Sequence, residues 1–80
     1  MDMDRIHQVE VVIHVDEALN EEQRASLVES LRRHDGVENA SFTQGRKHLM
    51  LIDYDPDKLH SIDVLGLVRR ENFRAELIGI

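Results

Sequence analysis

The feature that most constrains this chain is the order in which two kinds of apolar pattern follow one another along its 80 residues. Apolar residues alternate with others from Val9 to Val15, which is the period of a strand, and a helical period then runs over residues 21–33. Two further strand patterns, a second helical pattern and a last strand pattern complete the chain. The sequence therefore predicts the order strand, helix, strand, strand, helix, strand.

Turn signals between these segments divide the chain at the same places. Asp35-Gly36 is typical of a helix end, and we expect the second strand over residues 37–43. The residues around Gly45 predict a hairpin turn into a third strand over 49–54. Pro56 fixes φ in a further turn, after which we expect the second helix over 61–70 and the last strand over 73–78.

An α+β fold with this order of elements is the ferredoxin-like βαββαβ sandwich, in which a four-stranded antiparallel sheet carries two helices on one face. Because 80 residues at 41% hydrophobic content suit one small domain, we expect a single domain over 1–80, with 1–6 as a flexible tail. Ile62 and Leu65 form an apolar pair beside the core stripe of the second helix, and we expect them at the surface as weaker interface candidates. Strand and helix periods predict a core of Val9, Val11, Ile13, Val15, Leu27, Val28, Leu31, Ala40, Phe42, Met50, Ile52, Tyr54, Val64, Leu67 and Val68.

The opposite face of the predicted sheet carries an apolar strip that no helix covers. Strand parity assigns to it Val12, His14, Leu49, Leu51 and Ile78. A contiguous patch of large aliphatic side chains often marks an interface. We therefore predict that the chain forms a homo-oligomer or binds a protein partner through this open face. The alternative is that strand twist or the terminal tail covers the strip.

Three segments together resemble the heavy-metal-associated domain family. They are residues 35–37 (Asp-Gly-Val), the strand end at 54–58 (Tyr-Asp-Pro-Asp-Lys), and helix residues 64–70 followed by Phe73. The resemblance covers nearly the whole chain after Glu10. It implies the βαββαβ fold of copper chaperones and of amino-terminal modules of metal-pumping ATPases, which bind a soft metal through a Met-x-Cys-x-x-Cys loop. With the family's spacing, the Met position falls on Ala18 and the two Cys positions fall on Asn20 and Gln23.

The chain lacks the chemistry of that loop, since it contains no cysteine. Monovalent copper binds thiolates and thioethers far better than amides, so two carboxamides cannot replace a dithiolate. We therefore predict no metal and no other cofactor at Ala18, Asn20 and Gln23. Asn20 and Gln23 instead have the spacing of a capping box, which predicts a stabilised start for the first helix.

Composition and motifs argue against nucleic-acid binding and against catalysis. The net charge is −6, and the open-face positions Leu49, Leu51 and Asp53 offer no aromatic ring on which a base could stack. Acylphosphatases share the topology, but residues 16–20 provide carboxylates where those enzymes need an arginine-containing phosphate cradle. We predict no catalytic residue. A small-molecule module like the ACT domains is disfavoured too, because the glycines do not supply the required loop signature.

Five histidines are the remaining possible metal donors, and none forms an i, i+4 pair on a helix. His14 points to the open face by parity, whereas His48 has the other parity, so we expect no common site from that pair. A metal site built from His14 with carboxylates, or completed across a dimer, stays open as the alternative function. The other three histidines are His7, His34 and His60.

Charge around the predicted first loop favours a basic partner. Asp16, Glu17, Glu21 and Glu22 form an acidic cluster at the helix start, and the resemblance implies a docking surface at this loop. No signal-peptide pattern and no apolar run of ~20 residues is present, so we expect a cytoplasmic protein without membrane insertion. The sequence thus predicts a module that acts by protein interaction or self-association, with a role in metal homeostasis implied by the resemblance.

Overall fold

A computed structural model describes residues 9–79 as a four-stranded antiparallel sheet with two helices. The sheet has the strand order β2-β3-β1-β4, which confirms the predicted α+β ferredoxin-like topology. The elements are β1 (Val9–Val15), α1 (Glu21–Arg32), β2 (Val37–Thr43), β3 (Arg46–Tyr54), α2 (Ser61–Arg69) and β4 (Ala75–Gly79). Neither helix is long and apolar enough to cross a membrane. The predicted tail and His7 lie outside the described residues.

Two strands begin at residues other than the predicted ones, and β4 ends one residue later than predicted. β3 begins at Arg46, three residues earlier than expected. Residues 46–48 are polar, so no alternation of apolar residues indicates that they belong to the strand. Thr43 pairs directly with Arg46, and Gly45 takes a φ of 82° in the two-residue turn between them. β4 begins at Ala75, two residues later than expected, and the N–H of Arg74 just before it donates to the carboxylate of Glu17 and not to a neighbouring strand.

The hydrophobic core lies between the sheet and the helices. Most of the predicted core is buried, but four of its members, Val9, Val28, Phe42 and Leu67, are only partly buried against it. Leu65, which we expected at the surface beside Ile62, is 5% exposed, whereas Ile62 is 61% exposed. The apolar arc of α2 is therefore wider than the predicted stripe. Four unpredicted residues complete the core: Leu19, Val37, Leu59 and Ala75.

The corner between α1 and β2 is built on Gly36. Its φ of 101° lies in a region that favours glycine, and its carbonyl accepts the N–H of Asp55 at 2.8 Å. Lys58 Nζ donates to Asp35 Oδ1 at 3.1 Å, and this contact raises the pKa of Lys58. The Asp35-Gly36 turn is thus held against the turn that precedes α2.

Candidate functional site around the β1–α1 loop

The three positions at which the resemblance places metal donors lie at the β1–α1 junction, and two of them, Asn20 and Gln23, form a helix cap. The N–H of Gln23 donates to Asn20 Oδ1 at 2.7 Å, and the N–H of Asn20 donates to Gln23 Oε1 at 2.9 Å. The predicted capping box is therefore present, and both carboxamide oxygens are used within it. Ala18 offers only a methyl group. This donor set does not fit a soft metal ion, which needs sulfur ligands.

The same loop is fastened to the beginning of β4. The N–H of Asp16 donates to the carbonyl of Arg74 at 2.8 Å, and the N–H of Arg74 donates to both carboxylate oxygens of Glu17, at 3.0 and 3.2 Å. Arg24 also donates from Nη1 to the carbonyl of Leu19. Glu17 therefore has a structural role that the sequence did not indicate, because its partner lies 57 residues away.

The remaining acidic residues of the predicted cluster divide between two surfaces. Glu21 and Glu22 are exposed in the first turn of α1, and within residues 9–79 neither takes part in an ion pair. Asp16 instead turns toward His14. The predicted acidic cluster is thus not one continuous surface, and Glu21 and Glu22 are the carboxylates available beside the cap.

A shallow cleft lies next to these carboxylates, between α1 and the turn that follows α2. Its volume is about 270 Å³. Leu27 and Phe73 contribute apolar surface, while Glu22 and Glu71 contribute carboxylates. Ser30 Oγ donates to Glu71 Oε2 at 3.2 Å. An apolar floor with acidic groups around it suits a lysine or arginine, whose aliphatic stem can lie on the floor while its charge meets the carboxylates. The residues that line it are Glu22, Gln23, Ser26, Leu27, Glu71 and Phe73.

The predicted apolar strip is present on the open face of the sheet. Val12 pairs with Leu51 and His14 pairs with Leu49 across β1 and β3, which places their side chains next to one another. These four side chains are half-buried, whereas Ile78 on β4 is 58% exposed. The strip is thus contiguous across the two central strands, and its role as an interface stays a prediction.

His14 is the centre of a group of possible metal ligands at one end of this strip. Its Nδ1 lies 3.0 Å from Asp16 Oδ1 and 3.4 Å from Glu76 Oε1. The potential ligand atoms of the three residues all lie within 4.8 Å of one another. Glu76 is opposite His14 in the register of β1 and β4. The three side chains are 37%, 41% and 55% exposed, so an ion could reach them from solvent.

His48 lies against His14 although the two residues have opposite strand parity, and the absence of a shared metal site stays a prediction. Their rings are stacked, with 5.5 Å between centroids and 16° between planes. His48 Nδ1 donates to the carbonyl of Val15 at 2.7 Å. Strand parity fixes the direction of Cβ, but here the ring extends past the end of β1 and reaches its last carbonyl. The two other described histidines lie elsewhere, since His34 Nδ1 contacts the carbonyl of Asp35 and His60 contacts Asp63.

Comparison with known proteins gives the fold through solved structures. No model of a protein family matches the chain, and no curated protein matches its sequence. The N-terminal domain of a potential copper-translocating P-type ATPase from Bacillus subtilis superposes with a TM-score of 0.78 at 15% identity, covering 90% of this chain and 89% of that chain. For the first domain of the human copper chaperone for SOD1, the TM-score is 0.75 at 18% identity, with 90% and 94% covered.

A third similar structure is the copper chaperone of Enterococcus hirae. Its TM-score is 0.73 at 18% identity, with 85% of this chain and 98% of that chain covered. Such low identities establish shared architecture and not shared chemistry. This chain has the fold of the heavy-metal-associated domains, with a helix cap at two of the three positions where the resemblance places metal donors.

Proposed function

We propose that this chain is a non-enzymatic accessory module in metal homeostasis that binds a basic protein surface in the cleft beside α1. The observation that carries the proposal is the placement of two carboxylates, Glu22 and Glu71, around the apolar surface of Leu27 and Phe73. The metal context comes from the similar structures, which are a copper-translocating ATPase domain and two copper chaperones.

The β1–α1 loop supports protein docking better than metal transfer. The oxygens of Asn20 and Gln23 are already hydrogen-bonded within the cap, and the side chain of Ala18 has no donor. A loop whose polar groups pair with one another presents a fixed surface, so a partner that docks there orders few additional groups. The surface around this loop would therefore bind a protein partner, although its side chains do not fit a soft metal ion.

Electrostatics favours a basic partner at this surface. The chain has a net charge of −6, and Glu21 and Glu22 project from the first turn of α1 beside the cleft. Complementary charge accelerates association and makes it sensitive to ionic strength. A partner with a lysine or arginine next to an apolar residue would match both the floor and the rim of the cleft.

The experiment compares two charge reversals of equal size. Proteins captured by the wild-type chain are identified by quantitative mass spectrometry, and each purified partner is then measured against Glu22→Lys and Glu38→Lys by biolayer interferometry. Glu38 is exposed on β2, away from the residues that line the cleft. We expect Glu22→Lys to weaken binding about tenfold or more and Glu38→Lys to leave it unchanged.

Salt provides a second readout for the same partner. Binding at the cleft should weaken as the ionic strength rises from roughly 0.05 to 0.3 M, because exposed charges are screened over that range. Equal effects of the two reversals, or the absence of any partner displaced by Glu22→Lys, would show that the cleft is not the docking site.

Self-association through the open face is a second candidate. It is favoured by Ile78, which is 58% exposed beside the half-buried Val12, Leu49 and Leu51.

We propose a cytoplasmic location as well, since a chain without cysteine makes no use of an oxidising compartment for disulfides.

A further inference from the structure

His14, Asp16 and Glu76 bring one imidazole nitrogen and two carboxylates together at the edge of the open face. We propose that these three side chains bind one divalent transition-metal ion such as Zn²⁺. This site is distinct from the capped positions of the β1–α1 loop, and it uses none of their atoms.

The distances within the cluster fit a small ion. Zinc binds nitrogen and carboxylate oxygen at roughly 2.0–2.2 Å with tetrahedral geometry, so neighbouring ligand atoms lie about 3.3–3.5 Å apart. The separations of His14 Nδ1 from Asp16 Oδ1 and Glu76 Oε1 are 3.0 and 3.4 Å. The Asp16 and Glu76 oxygens lie within 4.8 Å of each other, so rotation of these two exposed side chains would bring them to the spacing of an ion's ligands.

The cluster is stable without an ion because His14 Nδ1–H donates to the carboxylate of Asp16. An ion bound at Nδ1 would displace this proton, and the neutral imidazole would then carry its single proton on Nε2. The same two carboxylates that accept or approach the proton would then face a charge of +2. Two carboxylates and a neutral imidazole balance that charge, so the bound site would carry no net charge.

The backbone holds the three ligands in place from different parts of the chain. His14 and Glu76 are register partners in β1 and β4, and the N–H of Asp16 is bonded to the carbonyl of Arg74. The stacked ring of His48 lies on His14 and is itself tethered to the carbonyl of Val15. The Nδ1 of His48 is thus engaged with the backbone, and its ring is nearly parallel to that of His14.

The chemistry of the donors selects the class of metal. Without sulfur, the site disfavours Cu(I), and the imidazole favours Zn²⁺, Ni²⁺ or Cu²⁺ over Mg²⁺. Three protein ligands leave a fourth tetrahedral position for water, which is the arrangement of an open zinc site. The ion would thus sit on an accessible surface and exchange with solvent.

Titration with zinc sulfate tests the proposal, with isothermal calorimetry for affinity and native mass spectrometry for stoichiometry. The variants Asp16→Asn and Glu76→Gln keep side-chain size and remove one carboxylate each. His60→Ala is the matched control, because His60 Nδ1 lies 3.4 Å from Asp63 Oδ2 in a pair that has only one carboxylate. Circular dichroism checks that each variant is folded.

We expect the wild type to bind one Zn²⁺ per chain. Both carboxylate variants should bind it about tenfold more weakly or worse, since changes even to partners of metal ligands cost roughly 10–100-fold, and His60→Ala should bind as the wild type. No zinc binding by the wild type, unchanged affinity in either carboxylate variant, or a loss in His60→Ala would overturn the site. Glu22→Lys lies outside the cluster and should still bind zinc, so this proposal and the docking proposal fail separately.

Discussion

Replacing Gly36 with alanine tests whether the corner between α1 and β2 requires glycine. A φ of 101° is rarely adopted by L-residues, and holding one there costs about 1–3 kcal/mol. The added Cβ would lie 2.9 Å from Leu59 Cδ1 and 3.2 Å from Lys58 Cβ. Leu59 is only 9% exposed, so it cannot simply swing away, and overpacking adds about 1–3 kcal/mol. We expect Gly36→Ala to lower the free energy of unfolding by about 2–6 kcal/mol.

Two other glycines separate the backbone and steric contributions. Gly45 has a φ of 82° and no atom within 4 Å of its ideal Cβ, so Gly45→Ala should show the backbone cost alone, about 1–3 kcal/mol. Gly66 lies within α2 and also has open space, so Gly66→Ala should stabilise the protein by about 0.5–1 kcal/mol. Urea unfolding followed by circular dichroism measures all three.

This reasoning is refuted if Gly36→Ala and Gly45→Ala unfold at the same urea concentration and their free energies of unfolding fall with urea at the same slope. Contact with Leu59 would then contribute nothing. A domain of this size has a stability of roughly 4–12 kcal/mol, so the largest expected loss could unfold much of the protein. Measuring Gly36→Ala in the Gly66→Ala background keeps the folded state populated enough for a baseline.

Three further changes test the helix caps and the open face. Asn20→Ala removes the acceptor for the N–H of Gln23 and should lower the free energy of unfolding by about 1 kcal/mol in the same urea assay, whereas an unchanged midpoint would show that the cap is not stabilising. We expect the wild type to self-associate at tens of micromolar in sedimentation equilibrium and Leu51→Glu to be monomeric. A wild type that is itself monomeric, with no change in the variant, would contradict association through the strip. The N–H of His60 donates to Asp63 and lowers the pKa of that carboxyl. The stabilisation from this hydrogen bond is therefore complete above the ordinary pKa of the carboxyl, and it disappears as pH falls through the lowered pKa. In thermal unfolding, the stability difference between wild type and Asp63→Asn should shrink below roughly pH 4. A difference that stays constant down to about pH 2.5 would contradict that assignment.

The features of the fold that could be predicted are those that depend on residues close together in the sequence. Asn20 and Gln23 are three residues apart, so their reciprocal hydrogen bonds can be inferred from residue type and spacing alone. The alternation in β1 likewise identifies its buried face. Leu65 is misplaced by the same reasoning because helix periodicity gives the centre of an apolar arc and not its width, which depends on what packs against α2.

The candidate metal ligands could be predicted only in part. His14 is recognisable as a possible donor with carboxylates, but which carboxylates depends on the register of β1 and β4. That register shifts between Val12 and Ile13, and no local pattern signals the shift. The sequence therefore does not indicate Glu76, nor the approach of His48, whose ring position depends on where β1 ends.

The clamp between Glu17 and Arg74 also has a consequence for the order in which the protein opens and closes. A carboxylate in the first loop accepts an N–H just before the last strand, so the loop and β4 both lose this hydrogen bond when either one detaches. The two ends of the described chain then belong to one cooperative unit. The amide proton of Arg74 should exchange with solvent more slowly than that of an unbonded loop residue, and a ribosome-bound chain that has not yet released β4 would lack this hydrogen bond.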